Sequence, residues 1–253
     1  MIDLHCHLLH HIDDGPDSLE EAVALCGLAL DNRIEQAALT PHIRAARADA
    51  AFLELRDSRI DELKKALDDA GVALRLYPGA EVLIADDTDF TADLVPLTIN
   101  HSRYLLTELP RSDPGFHVVQ KQLEKLRSQG FVPILAHPER YPYFQRNLTL
   151  LGSIRESGVL LQVNAASLCQ PYRKAEYRAA ATLLRTRAAD FLATDAHSVA
   201  FRPNNLLEML GSLPESIDYD YLDLLVNQNP ECVLNDEQID NDFQKSLSLR
   251  GFK

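Results

Sequence analysis

The first fifteen residues, MIDLHCHLLHHIDDG, contain four histidines and three aspartates. An apolar MIDL run passing into His5-Cys6-His7 predicts a strand. Strand side chains alternate, so His5 and His7 share one face and Cys6 takes the other. Two imidazoles on one face can close on a metal ion, although paired histidines also end strands as ordinary polar residues. Asp195 and His197 repeat the spacing. His42, Glu81, Glu108 and His137 add further donors, and Asp14 stands in the IDDG loop. Together these nine imidazoles and carboxylates can hold two or three divalent ions. Mixed nitrogen and oxygen donors without thiolate suit manganese, iron or zinc, with manganese placed first.

Something must carry these groups to one place. Short apolar runs (MIDLH, QAALT, ALRLY with AEVLI, RYLLTEL, VPILAH, VLLQVN, DFLATD) alternate with amphipathic segments. Helices are expected from Ser18 to about Asn32, from Asp49 to Ala70 before Gly71, and over about Phe116–Gln129, Gln145–Glu156 and Lys174–Thr186. The first opens on the capping box Ser18-Leu19-Glu20-Glu21. From Asn204 onward the chain reads as helical and then less ordered. Strands alternating with helices indicate βαβ units and a parallel sheet. The dinucleotide fingerprint GxGxxG is absent.

The runs end, one after another, in His5/His7, Thr40-Pro41-His42, Glu81, Glu108, His137-Pro138-Glu139-Arg140, Asn164 and Asp195-Ala196-His197. Active sites of (β/α) barrels sit at the C-terminal ends of the strands. The expected fold is therefore α/β, a (β/α)7 TIM-like barrel. It forms a single domain over residues 1–253, with about 235–253 peripheral.

The chain has 253 residues, 46% hydrophobic and 25% charged, with a net charge of -13. No basic stripe suited to nucleic acid is present. No run approaches the ~20 apolar residues of a membrane span, and no leader pattern precedes the first strand. A cytoplasmic protein is expected. Acidity repels a phosphorylated substrate unless bound cations reverse the field locally. The four cysteines are scattered, with no CxxC. Cysteine-based phosphotyrosine chemistry needs an arginine six residues after the nucleophile, where this chain has Ile12, Asn32, Ala175 and Gln238.

DLHCHLLHHIDDG, TPH, GAE, HPERY and TDAH followed by RP resemble the polymerase-and-histidinol-phosphatase (PHP) family. Within it, they are most similar to the metal-dependent protein tyrosine phosphatases of bacterial capsule and exopolysaccharide synthesis. The resemblance covers about residues 1–235. It implies a distorted seven-stranded barrel with three metals. His5, His7, Glu81 and Asp195 would hold the first, Glu81, Glu108 and His137 the second, and Asp14, His42 and His197 the third. Arg140 and Arg202 would bind phosphate, and Asp195 and His42 count with them among the catalytic residues. The implied substrate is a phosphotyrosine protein, first of all a bacterial tyrosine kinase. Histidinol phosphate and a non-catalytic scaffold role are the alternatives, and a homo-oligomer is left open. Strand-helix connections read as short, which favours a protein substrate.

Other polar residues have plainer expectations. His10 and His11 belong on a loop surface, and His101 and His117 are structural. Asp13 is a turn residue, and Glu139 makes a local ion pair. Cys6 packs away from the metals. Asp3 shares the face of His5, either orienting a ligand or simply starting the strand.

Overall fold

The computed structural model describes residues 1–45, 49–85, 88, 93–169, 174–211, 213 and 217–239. Strands β1 (Ile2–Cys6), β2 (Gln36–Leu39), β3 (His42–Arg44), β4 (Arg75–Pro78), β5 (Glu81–Leu83), β6 (Tyr104–Glu108), β7 (Val132–Ala136), β8 (Leu160–Asn164) and β9 (Phe191–Ala193) alternate with helices. All pairings are parallel, in two sheets ordered β1-β2-β4 and β3-β5-β6-β7-β8-β9. The run read as QAALT is followed by a further strand, β3. Thr40-Pro41 interrupts the path, and proline cannot donate to a ladder. Gly79-Ala80 likewise separates β4 from β5. At the other edge, Asp195 N donates to His5 O (2.8 Å) and His7 N to Ala196 O (2.8 Å), linking β1 to the segment after β9.

Two apolar layers fix which way each strand faces. Ile2, Leu4, Ala38, Ile134, Ala136, Leu160 and Phe191 form an inner cluster, while Ala37, Leu39, Leu135, Leu161 and Leu192 pack outward. The outward residues meet α1 (Leu19–Asp31) and α2 (Ala50–Ala70). In β1, Leu4 is inner and Cys6 outer, because the register with β2 shifts between Asp3 and Cys6. That bulge breaks the alternation on which Asp3 was expected to share the face of His5. Asp3 instead accepts from Thr194 N (3.1 Å) and Thr194 Oγ1 (2.5 Å), tying β1 to the end of β9.

Helix boundaries follow their caps. Ser18 accepts from Glu21 N at 3.2 Å, but the return bond of the expected box goes from Asp17 N to Glu21 Oε2. The Asp49 side chain caps α2 and Gly71 ends it at φ 70°, a conformation glycine adopts without steric cost. Helix α3 spans Phe116–Ser128. The helix expected over Gln145–Glu156 is two, α4 (Pro142–Arg146) and α5 (Thr149–Glu156). Asn147 divides them, its Oδ1 accepting from Thr149 N (3.2 Å) and Oγ1 (2.6 Å), a local bond that competes with the helix ladder.

Helices α6 (Ala166–Cys169) and α7 (Lys174–Arg185) precede β9. Then come α8 (Leu206–Leu210), α9 (Tyr219–Asp223), a π-turn and α10 (Asn229–Leu234). Of the segment expected at the periphery, residues 235–239 dock on β6. Tyr104 Oη donates to Glu237 O (2.6 Å) and Arg103 Nε to Asp236 Oδ1 (2.8 Å). Residues 240–253 lie outside those described. Not every strand-helix connection is short: twelve residues each, 7–18 and 194–205, separate β1 from α1 and β9 from α8.

Candidate metal centre

The ends of β1, β6, β7 and β9 and the starts of β3 and β5 converge on one buried cluster. His5 Nε2 lies 3.1 Å from Glu81 Oε2, 3.3 Å from Asp195 Oδ1 and 3.1 Å from His7 Nε2. His7 Nε2 is 3.3 Å from Glu81 Oε2 and 3.5 Å from Asp195 Oδ1. These four residues form one donor set and His42, Glu81 and Glu108 a second. His42 Nδ1 stands 3.0 Å from Glu81 Oε2 and 3.6 Å from Glu108 Oε2. His137 Nε2 reaches the other Glu81 oxygen at 2.9 Å and Glu108 Oε1 at 3.9 Å. A third set comprises His7, Asp14, His42 and His197, with Asp14 Oδ1 3.3 Å from His197 Nε2 and 3.5 Å from His42 Nε2.

All nine sequence candidates thus belong to one network. The grouping differs in three respects from that implied by the resemblance, the first being that His137 meets Glu81 but falls outside all three sets. His42 straddles the second and third sets, one ring nitrogen in each, and His7 belongs to both the first and third. Glu81, expected at the end of a run, instead opens β5, where it is fully buried and shared by two sets.

The donor spacing bears on what the cluster can hold. Zinc-type bonds of about 2.0–2.2 Å put neighbouring ligand atoms roughly 3.0–3.5 Å apart. The 3.0–3.6 Å separations around Glu81 Oε2 and Asp195 Oδ1 fit that shell. Two imidazole nitrogens facing each other at 3.1 Å cannot both present protons. The residues therefore fit divalent cations, one of the few ways to satisfy so many buried donors at once.

Neighbouring groups set each donor. His5 Nδ1 bonds Gln162 Oε1 at 2.8 Å and His7 Nδ1 bonds Asp13 Oδ2 at 2.7 Å. Each partner accepts, so the Nε2 lone pair points into the cluster. Burial opposes charge on His7, but the Asp13 and Glu81 carboxylates together outweigh it and push the metal-free imidazole up to about 10. Asp13 also accepts from His42 N (2.9 Å) and Gly15 N (3.0 Å). It is therefore no plain turn residue: it joins two candidate ligands. Burial also works against charge on Glu81, yet His5, His137 and His42 hold its carboxyl well below the usual range. Burial, then the Glu81 charge, raises Glu108 to about 7.

Arg140 and Arg202 sit at the rim, and both pair with Asp195 Oδ2, Arg140 Nη1 at 2.8 Å. Asn164 Nδ2 donates to the same oxygen at 2.6 Å. Asp195 turns its other oxygen to the histidines. The strand spacing expected for Asp195 and His197 is not realised. Strand β9 ends at Ala193, and Asp195 adopts φ 54°, a left-handed turn that aims both side chains inward.

Several plainer expectations change. Glu139 makes no ion pair among the described residues. Fully buried, it accepts from Asn164 N (3.0 Å) and Ser167 Oγ (2.8 Å), and its Oε2 has no partner. His10 is buried and meets Glu62 Oε2 at 3.1 Å, whereas His11, His101 and His117 are exposed. Cys6 is fully buried with Sγ directed to Ala38 O, away from the cluster. Gln162 escaped notice although it was visible: a glutamine inside the apolar run VLLQVN needs a buried partner.

A family model described as "Capsular polysaccharide synthesis, CpsB/CapC" matches residues 1–235. The chain belongs to the CpsB/CapC family. The putative tyrosine-protein phosphatase CapC of Staphylococcus aureus is 31% identical over 254 residues, spanning 100% of this chain and 97% of that protein. The tyrosine-protein phosphatase YwqE of Bacillus subtilis is 28% identical over 242 residues, spanning 94% and 93%. A crystal structure reported for YwqE and for CpsB of Streptococcus pneumoniae, called unique metal-dependent tyrosine phosphatases, superposes with a TM-score of 0.82. Its identity is 27%, and the match covers 95% of this chain and 96% of the other. No described helix is long and apolar enough to cross a membrane.

Proposed function

We propose that this CpsB/CapC-family protein is a metal-dependent protein tyrosine phosphatase that removes phosphate from a bacterial tyrosine kinase in capsule or exopolysaccharide synthesis. The observation that carries the reading is the set of donor groups joined through Glu81 and Asp195, with two arginines on the outer oxygen of Asp195. The family and the names of its relatives supply the substrate class. Four free cysteines, two of them fully buried, accord with a reducing cytoplasm, and none is followed six residues on by the arginine that a thiol-based phosphatase needs.

His5, His7, Glu81 and Asp195 would hold one cation, Glu81, Glu108 and His137 with His42 a second, and Asp14, His42, His197 and His7 a third. Manganese is the first expectation and iron or zinc the next. Ions bound there would supply Lewis-acid charge and lower the pKa of a water nucleophile. Asp13 and Gln162 fix the tautomers of His7 and His5, so the site is built before substrate arrives. Arg140 and Arg202 exchange their bonds to Asp195 for bonds to the phosphoryl oxygens, where a planar fork binds bidentately and charge grows in the transition state. Phenolate, with a pKa of about 10, departs more readily than an alkoxide. The reading takes residues 1–253 as one domain and the two sheets as a distorted seven-unit barrel. β2 with β3, and β4 with β5, each count once, and the hydrogen bonds between β1 and the segment after β9 make the closing seam.

Phosphate release from a phosphotyrosine peptide and from histidinol phosphate, measured on one manganese-loaded preparation with and without chelator, tests the proposal. We expect the peptide to turn over faster and chelation to abolish turnover. Preference for histidinol phosphate would overturn the substrate, and no turnover of either would leave a scaffold.

A further inference from the structure

Directly after His197 the chain makes a tight turn. His197 N and Ser198 N both donate to Arg202 O (2.9 and 3.3 Å), and Phe201 N donates to Ser198 Oγ (3.2 Å). These bonds hold a candidate ligand and a candidate phosphate-binding arginine at the two ends of one turn. Its crown is apolar: Val199 is 44% and Phe201 76% exposed. Such side chains cost free energy in water unless something covers them. Beside the turn lies a pocket of about 280 Å³, lined by Phe201, Arg202, Cys169 and Met209, with Asn205 and Glu208, hydrogen-bonded to each other, on its polar side. None of the nine cluster residues lines the pocket; Arg202 is the link, one residue that both lines the pocket and pairs with Asp195.

We infer that this pocket is the subsite for the aryl ring of the phosphoester, with Phe201 as one wall. The inference rests on the phosphatase reading and adds to it a structural basis for preferring an aryl over an alkyl ester. A phosphoryl group gripped by Arg202 projects its ester substituent past the same guanidinium. There it meets an aromatic wall, a thioether and a thiol, all soft partners for a ring. Size agrees: a cavity of about 150 Å³ already accepts benzene. A folded partner cannot enter such a space.

Binding of phenylphosphonate and methylphosphonate to the manganese-loaded protein, by titration calorimetry, tests the ring without a leaving-group effect. Burying the ring should favour phenylphosphonate on the order of tenfold or more. In Phe201→Ala the ratio of affinities should fall about two- to tenfold, the worth of one aromatic pair, while methylphosphonate affinity and metal content stay unchanged. Ala166→Leu, at a further lining position, fills the pocket and should weaken phenylphosphonate alone. Equal binding of the two probes to the wild type, or an unchanged ratio in Phe201→Ala, would overturn the subsite even if phosphotyrosine peptide is hydrolysed. In that case a gain from residues flanking the tyrosine would assign the pocket to the peptide instead. Failure of the wild type both to bind methylphosphonate and to hydrolyse peptide would overturn the phosphatase reading as well.

Discussion

Glu139 offers a quantitative test of how the loop beneath Arg140 is held. Its Oε1 accepts two hydrogen bonds, its Oε2 has no partner, and burial raises it from 4.5 to about 7. A carboxyl with a raised folded pKa stabilises the fold fully below its unfolded pKa. That contribution is lost as the pH climbs through the folded value. At about 1.4 kcal/mol per pKa unit, the cost of ionising Glu139 approaches about 3 kcal/mol above neutrality. Glu139→Gln is the neutral isostere and is free of that cost. Urea unfolding of metal-stripped wild type and variant at about pH 5 and about pH 8 measures the difference. The two should be nearly equal in acid, and the variant more stable by about 3 kcal/mol in base. Glu139→Ala should be less stable at both, since Asn164 N–H and the Ser167 hydroxyl lose their acceptor at about 1–3 kcal/mol each. A stability difference between Glu and Gln that is flat with pH would show Glu139 ionised throughout and refute the reasoning.

Three further outcomes are expected. Asp13→Ala and Gln162→Leu, which free the rings of His7 and His5, should each weaken manganese binding on the order of 10- to 100-fold, measured by competition with a chelator. Unchanged affinity would make both residues mere packing. Arg140→Ala should lower phosphotyrosine turnover on the order of 100- to 1000-fold at unchanged metal content by elemental analysis. Arg140→Lys should recover only part of that loss, and near-native turnover in the alanine variant would make Arg140 only a partner for Asp195. Replacing Cys6, Cys26 and Cys232 by alanine should preserve turnover in the folded protein, since burial pushes the Cys26 thiol up to about 12 and holds Cys6 and Cys232 higher than usual. A trapped phosphocysteine in the wild type would contradict this.

What the sequence disclosed and what it hid divide along physical lines. Ligand types at the ends of apolar runs marked eight of the nine cluster residues, because an imidazole or carboxylate at a buried strand end needs a partner there; Asp14, exposed in its loop, was marked by the IDDG stretch alone. Long amphipathic helices were legible for the same reason: caps and periodicity are local. Distance in space was not. The β1 bulge that turns Asp3 away from His5 depends on pairing with β2, and no residue in MIDLHC announces it. The role of Asp13 depends on where His7 and His42 arrive, and that of Glu139 on a strand that follows some twenty residues later. The break at Asn147 was the exception, a local signal outweighed by the apolar pattern around it.

The seam between β1 and the segment after β9 has a consequence for assembly. Asp3 and Thr194 are 191 residues apart in sequence yet share two hydrogen bonds, and His5 meets Asp195 beside them. Bringing chain segments together over such a distance costs on the order of 5 kcal/mol of loop-closure entropy. Folding dominated by such remote contacts is slow. During synthesis the first histidines emerge long before their carboxylate partner, so the donor set is completed only once Asp195 and His197 have followed. An ion bound between His5 and Asp195 would then act as a clasp on the chain as well as a reactive centre. Loss of that ion should first loosen the amides of His7 and Asp195, before the helices on the outer layer.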